Sequence, residues 1–268
     1  MQKRVLVFRF MLAALFVSLG LASAQSPVLD RILQSGELRV ATSGDQPPFN
    51  AVSKDGQLMG LEIDLIRAIV EMMNVNLNLI SMPFPDLLPA LREGTVDMVL
   101  SGLSITPERI KEFAFVGPYV LSGKSVLTDS TTLLNMKTPR DLDKPELTLV
   151  ALEGSTSVDY VKRVAPQAKL VTTANYEDAV KMLLAKEVNA MIADMPACVL
   201  TVLQNPREDL ATPSQPFNVE PIGIAIPAND ERFKNLIETY IDVFEATGVL
   251  DALRKEWLEG GDWVLALP

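Results

Sequence analysis

The sequence predicts an α/β fold arranged as two similar lobes. Two features carry that expectation. Strand-like and helix-like segments alternate along the chain, and one helix-then-strand unit occurs in each half. In the first half Asp86 to Arg92 reads as a helix, and Val96 to Leu100 as a strand ending at Ser101-Gly102. In the second, Glu177 to Lys186 reads as a helix with Ala179, Val180, Leu183 and Leu184 on one face, followed by the strand Val188 to Ile192, ending at Ala193-Asp194. No glycine-rich linker or low-complexity segment separates the halves, so short hinges are expected between them. Hydrophobic residues are 48% of the 268, enough for a substantial core.

Taken in order, residues 1–24 read as a secretory signal. Lys3, Arg4 and Arg9 precede an uncharged apolar run from Phe10 to Leu21, and Ala22-Ser23-Ala24 offers a small-x-small cleavage site before Gln25. The run is shorter than the roughly 20 residues that span a bilayer. Leu38 to Thr42 is a β-like run that breaks at Ser43-Gly44-Asp45-Gln46-Pro47-Pro48, and Asp55-Gly56 has the chemistry of a hairpin turn. Leu65, Ile66, Ile69, Val70 and Met73 have helical spacing, whereas Val75, Leu77 and Leu79 alternate as in a strand. Thr106-Pro107-Glu108 fits an N-cap, first position and first turn of a helix. Leu147 to Leu152 is an apolar strand, with a helix expected from Val158. Near the C-terminus Phe233, Leu236, Ile237, Tyr240, Ile241 and Phe244 form one stripe, with Gly248 as a stop and a shorter helix running to about Glu259.

Composition removes several function classes. The chain has no His, which excludes Ser-His and Cys-His nucleophile pairs and the common zinc sites. Cys198 is the single cysteine and sits in an apolar stretch, so it reads as a buried, inert thiol. Loss of the three basic residues of the leader takes the net charge from −10 to −13. Such an acidic surface disfavours nucleic acid as a partner. No GxxxxGK[ST] or GxGxxG pattern occurs, so nucleotide phosphate is not indicated, and neither a metal nor a cofactor is expected.

Ligands of open α/β sheets bind outside the carboxyl ends of strands. Four such ends carry unusual polar residues: Thr42-Ser43, Ser101-Gly102, Glu153-Gly154-Ser155-Thr156 and Asp194. Arg109, beyond a candidate helix start, could take a carboxylate bidentately or pair with Glu112 on a surface helix. Ser155 and Thr156 could form an anion nest or simply cap a helix. Asp194, before Met195-Pro196, could receive an ammonium group or serve as an N-cap. Together Arg109 and Asp194 would clamp the two ends of a zwitterion.

These segments resemble the bacterial solute-binding proteins of family 3, the polar amino-acid receptors of ATP-driven importers. The resemblance rests on Leu38-Arg39-Val40-Ala41-Thr42 with Pro47-Pro48-Phe49, Gly60-Leu61-Glu62-Ile63-Asp64-Leu65, Ser101 to Arg109, Phe115 to Gly123, Gly154 to Tyr160 and Asp194, and spans Leu29 to Trp263. It implies a two-lobed periplasmic-binding-protein fold of type II, with the ligand cleft between two α/β lobes joined by two hinge strands. Lobe 1 would hold residues 29–118 and 223–268, lobe 2 residues 124–219, with hinges near 119–123 and 220–222. By position, Arg109 would grip an α-carboxylate with Ser104 and the backbone of Gly102 assisting. Ser155 and Thr156 would add donors, Asp194 would take the α-ammonium, and Phe84 would form an apolar wall. Gln46 stands where relatives often carry an aromatic residue, and Ser43 where those that bind cationic side chains often carry Asp; Asp45 or Glu153 could substitute as an anion. That pair implies a polar, uncharged side chain on the ligand. The implied protein is non-catalytic, periplasmic and monomeric, and it delivers an amino acid or close analogue to an inner-membrane ABC permease.

The chain also resembles the cyclohexadienyl dehydratases of the same fold, through Lys124 at a hinge and Thr42-Ser43-Gly44-Asp45. That chemistry needs a general acid to protonate a departing hydroxyl. By position their acid Glu falls at Ala197 and their strand-end Asn at Leu152, neither of which carries a proton.

Overall fold

The computed structural model describes residues 26–268; the signal reading of residues 1–24 lies outside the described residues. The chain begins with α1 (Pro27–Ser35), whose N–H groups at Val28 and Leu29 bond to the Asp230 carboxylate at 2.9 and 3.1 Å. Next come β1 (Glu37–Thr42) and a small antiparallel sheet of β2 (Asp45–Gln46), β3 (Asn50–Val52) and β4 (Leu58–Met59), with the expected Asp55-Gly56 turn between the last two. α2 (Leu61–Met73) buries Leu65, Ile66, Ile69 and Val70, four of the five residues with helical spacing, while Met73 packs partly buried at the core edge. β5 (Asn76–Ser81), α3 (Phe84–Arg92) and β6 (Met98–Val99) complete the first unit.

β7 (Phe113–Ser122) leads through Gly123 into β8 (Lys124–Thr128) and α4 (Ser130–Asn135). A second unit follows: β9 (Thr148–Leu152), α5 (Thr156–Val164), β10 (Lys169–Thr173), α6 (Tyr176–Leu184) and β11 (Ala190–Asp194). After α7 (Met195–Gln204), β12 (Glu220–Pro227) carries the chain back to α8 (Glu231–Thr247) and α9 (Val249–Arg254), and a π turn over Lys255–Glu259 ends the shorter helix. Asp230 also caps α8 by accepting from Phe233 N at 2.9 Å, so one carboxylate fixes the starts of both α1 and α8.

The two sheets repeat one plan. One has the order β5-β1-β6-β12-β7, the other β10-β9-β11-β8. In each, three parallel strands lie with the first between the second and third, and an antiparallel strand (β12 or β8) closes the far side of the third. The helix-then-strand repeat legible in the sequence is thus the second half of a βαβαβ unit, giving two α/β lobes of the type II fold. The switch points, where strand order reverses, lie between β1 and β6 and between β9 and β11, so the polar strand ends converge there.

Two expectations need correction. The strand over Val96 to Leu100 pairs as a strand only at Met98–Val99, although its backbone bonds to β1 run from Asp97 N to Leu100 N. Asp97 is turned to the side, where it pairs with Arg31 and Arg39. The helix expected at Pro107 is a single 3-10 turn over Arg109–Lys111, because β7 begins at Phe113 and leaves no room for a second turn. Thr106 Oγ1 still accepts from Arg109 N at 3.2 Å.

The apolar core of the cleft walls is continuous across both lobes. Phe84, Leu87, Val99 and Leu103 from one join Val150, Leu152, Tyr176 and Met191 from the other. Chain crossings are tight: a methyl on Gly123 would lie 2.0 Å from Asn218 O, so the first crossing needs glycine to pass beside the second. No helix among the described residues is long and apolar enough to cross a membrane.

Candidate functional site

The strand ends meet around a narrow, nearly closed cavity lined by both lobes. Gln46, Phe84, Gly102, Ser104 and Arg109 come from one side; Lys124, Leu152, Ser155, Thr156, Tyr176 and Asp194 come from the other. The lobes are shut on each other. Arg109 Nη2 donates to Gly154 O at 3.1 Å, Ser104 Oγ lies 3.3 Å from Thr156 Oγ1, and Tyr176 N donates to Asp45 Oδ2 at 3.1 Å.

Eight of the nine sequence-predicted site residues line this cavity; Ser43 does not. Ser43 sits one layer back, donating to Asn50 Oδ1 at 3.1 Å and accepting from Ser101 Oγ at 2.8 Å. Gln46 is buried, and Gly102 opposite it adopts φ 58°, where a side chain would be strained and a Cβ would come within 2.4 Å of Gln46 Oε1. Phe84 opens α3 and is 6% exposed, a wall of the cavity. The Gly102 N–H is already engaged, donating to Glu62 Oε1 at 2.7 Å. Ser155 caps α5: its Oγ accepts from Ser157 N at 3.2 Å and donates to Leu152 O at 2.6 Å.

Among the described residues Arg109 makes no ion pair. Its Nη1 donates to Ser104 O at 2.8 Å and its Nη2 to Gly154 O, both neutral acceptors. Burial lowers its pKa against the pull of Glu220, Asp194 and Asp159. The surface alternative, pairing with Glu112, is not what forms; Glu112 pairs with Arg92. Asp194 stands at the N-cap position of α7 but makes no capping bond. Its Oδ1 instead accepts from Lys124 Nζ at 2.7 Å.

At the centre of this cluster are Lys124, which the sequence offered only through the dehydratase resemblance, and Glu220, which it did not single out. Lys124, 1% exposed, bridges Asp194 and Glu220, with Glu220 Oε2 at 3.1 Å. Glu220 also accepts from Ser104 Oγ at 2.5 Å, Thr156 Oγ1 at 2.8 Å and Asn218 Nδ2 at 2.9 Å. Burial alone would raise the Glu220 carboxyl, but the Lys124 ammonium and these three donors outweigh it and hold it at about 2. A lysine and a glutamate starting strands at the two crossings, Lys124 in β8 and Glu220 in β12, were the available signal. Tyr176 was also missed; burial, then Asp194 and Asp45, keep its phenol protonated. Leu152 lines the cavity, while Ala197 lies in a neighbouring groove with Asp45 and the C-terminal Leu267 and Pro268. Burial pushes the Cys198 thiol up to about 12, which leaves it inert as expected. Among the described residues no cluster of three His, Cys, Asp or Glu side chains is placed to hold a metal ion.

Comparison with known proteins agrees with this architecture. The cyclohexadienyl dehydratase of Pseudomonas aeruginosa is 28% identical over 256 residues, covering 94% of this chain and 95% of that one. The crystal structure of an ancestral amino acid-binding protein, described as a precursor of cyclohexadienyl dehydratase, has a TM-score of 0.78 at 30% identity, covering 85% of this chain and 98% of that one. A putative binding component of an ABC transporter from Wolinella succinogenes, complexed with lysine, has a TM-score of 0.81 at 32% identity, covering 86% and 99%. Residues 38–260 match the model of the bacterial extracellular solute-binding proteins, family 3, and the chain belongs to that family.

Proposed function

We propose that this protein is a periplasmic receptor that captures an amino acid or close analogue between its lobes and delivers it to an ABC permease. Lobe 1 comprises residues 29–118 and 223–268 and lobe 2 residues 124–219; the lobes turn about segments 119–123 and 220–222, and the receptor works as a monomer. The observation that carries the reading is the meeting of Arg109 and Asp194, from opposite lobes, in one cavity at the switch points of both sheets. Arg109 now bonds two carbonyl oxygens. A ligand carboxylate displaces them, because it brings a full counter-charge and can take the guanidinium bidentately, which two neutral carbonyl oxygens cannot. Lys124 occupies only Oδ1 of Asp194, which leaves the second carboxylate oxygen for an α-ammonium. Phe84 and Leu152 wall the side chain.

Thermal shift with a panel of amino acids tests the reading. A ligand at about 100 times its Kd stabilises by about 2.7 kcal/mol, or about 5–10 °C at this chain length. A panel with no shift refutes it.

A second reading, a dehydratase acting on a cyclohexadienyl acid, draws on the Pseudomonas relative and on the buried Lys124. The chemistry of the cavity favours binding. Glu220 at about 2 is ionised and donates no proton, and Leu152 is apolar. Incubation with prephenate or arogenate decides it: release of carbon dioxide would replace the receptor reading.

A further inference from the structure

Resting on that receptor reading, we infer that Lys124 is the specificity filter of the cleft, restricting it to amino acids with uncharged side chains. The argument is a charge balance. Two cations, Arg109 and Lys124, and two anions, Asp194 and Glu220, converge on the cavity and its immediate wall. A zwitterion brings one charge of each sign and keeps the closed cleft neutral. A ligand with a second positive group finds no anion in the cavity lining left to receive it. Asp194 and Glu220 are both engaged by Lys124, with Glu220 further saturated by Ser104, Thr156 and Asn218.

Neither acidic residue that could have substituted lines the cavity. Asp45 faces the groove beside α6 and bonds Tyr176 N, and Glu153 is exposed and outside the cavity lining. A ligand ammonium or guanidinium would therefore share an enclosed space with the Lys124 ammonium. Like charges brought together in a desolvated site are strongly rejected. Lys124 is also placed to do this rigidly, being clamped at both carboxylates with 1% of its surface exposed.

Calorimetric titration with L-glutamine, L-arginine, L-lysine and L-glutamate reads the filter directly. Wild type should prefer glutamine to arginine and to lysine by at least about 100-fold. Lys124→Met leaves two carboxylates with one cation, so the ratio should invert in favour of arginine or lysine. Lys124→Met with Glu220→Gln restores the balance and should restore the neutral preference. If Lys124→Met does not fold, Glu220→Gln alone still decides: the cavity then carries one excess positive charge, and glutamate should gain at least about 10-fold relative to glutamine. Wild type binding arginine or lysine as tightly as glutamine overturns the filter while leaving the receptor reading intact, as does a folded Lys124→Met or Glu220→Gln protein with unchanged ratios. Wild type that binds no amino acid at all overturns the receptor reading and the filter with it.

Discussion

Two glutamates stand beside this cleft, Glu62 buried and Glu220 half-buried, and their surroundings are opposite. Glu62, in α2 behind the lobe 1 wall, is fully enclosed and accepts from Gly102 N and Asn50 Nδ2, each at 2.7 Å, and from the Tyr119 hydroxyl. No cation contacts it among the described residues, and burial drives its pKa up against those three bonds. Glu220, at the hinge, has a comparable set of donors but also the Lys124 ammonium, and is held at about 2. At Glu62 three hydrogen bonds do not offset complete burial, whereas at Glu220 burial is less complete and a paired cation adds to the hydrogen bonds. Glu62 therefore serves as scaffold, tying β7 at Tyr119 to β3 at Asn50 and to the loop at Gly102. Glu220 is a permanent charge that ligand chemistry must respect.

The largest expected effect breaks the scaffold side. Glu62→Ala strands the Tyr119 hydroxyl, the Gly102 N–H and the Asn50 amide without their acceptor. Each buried unsatisfied group costs about 1–3 kcal/mol, so unfolding in urea should show a loss of about 4 kcal/mol. Glu62→Gln, which keeps one acceptor oxygen, should lose about half as much. A loss below about 1 kcal/mol for the alanine variant would mean that water replaces the carboxylate and that the network is not a scaffold.

Next is Arg109, a partly buried cation whose present partners are only carbonyls. Arg109→Ala should weaken amino-acid binding by about 3 kcal/mol, roughly 100-fold, since the ligand carboxylate would close into the cleft without its counter-charge. Stability without ligand should change by less than about 1 kcal/mol, because two exchangeable bonds to backbone oxygens are lost. Arg109→Lys should recover only part of the affinity, lacking the planar fork. Titration of the folded variants checks all three, and undiminished affinity in Arg109→Ala would remove the residue from the site.

What was legible in the sequence follows the same division between scaffold and charge. The helical stripe of α8 and the helix-then-strand repeat are local patterns, and the fold reproduces them. Of the four strand ends expected to converge, Gly102, Ser155-Thr156 and Asp194 line one cavity, while Thr42-Ser43 stands behind it; that expectation required only that strand ends of an α/β sheet carry function. Residues whose partners are distant in sequence were not legible. Nothing near Lys124 announces Asp194, 70 positions away, and nothing near Glu220 announces Ser104, 116 positions away. Glu62 was visible within a motif, yet its enclosure depends on Tyr119, 57 residues on. The Pro107 helix failed for a related reason, since capping chemistry was present but the following strand cut the helix short.

The smallest expected effect sharpens the contrast between the two glutamates through pH. Glu220 has a folded pKa of about 2, below the value of about 4.3 for a free glutamate, so the unfolded chain takes up its proton first as pH falls. Its stabilising contribution is complete above that free value and is lost as pH drops through about 2. Glu62 has the opposite sign: its folded pKa is raised, so its contribution is present below the free value and lost as pH rises through the folded one. Because the hinge is partly reached by solvent, the Glu220 term is screened and should amount to no more than about 1 kcal/mol, or about 2–4 °C in Tm. Melting curves from about pH 6 to about pH 2 should therefore fall less steeply in Glu220→Gln than in wild type. In Glu62→Gln the acid limb should keep its slope or steepen, because the group removed was one that favoured the folded state in acid. A Glu220→Gln protein with the wild-type acid limb would show that the Lys124 pairing does not survive in solution, and the distinction between the two glutamates would then rest on burial alone.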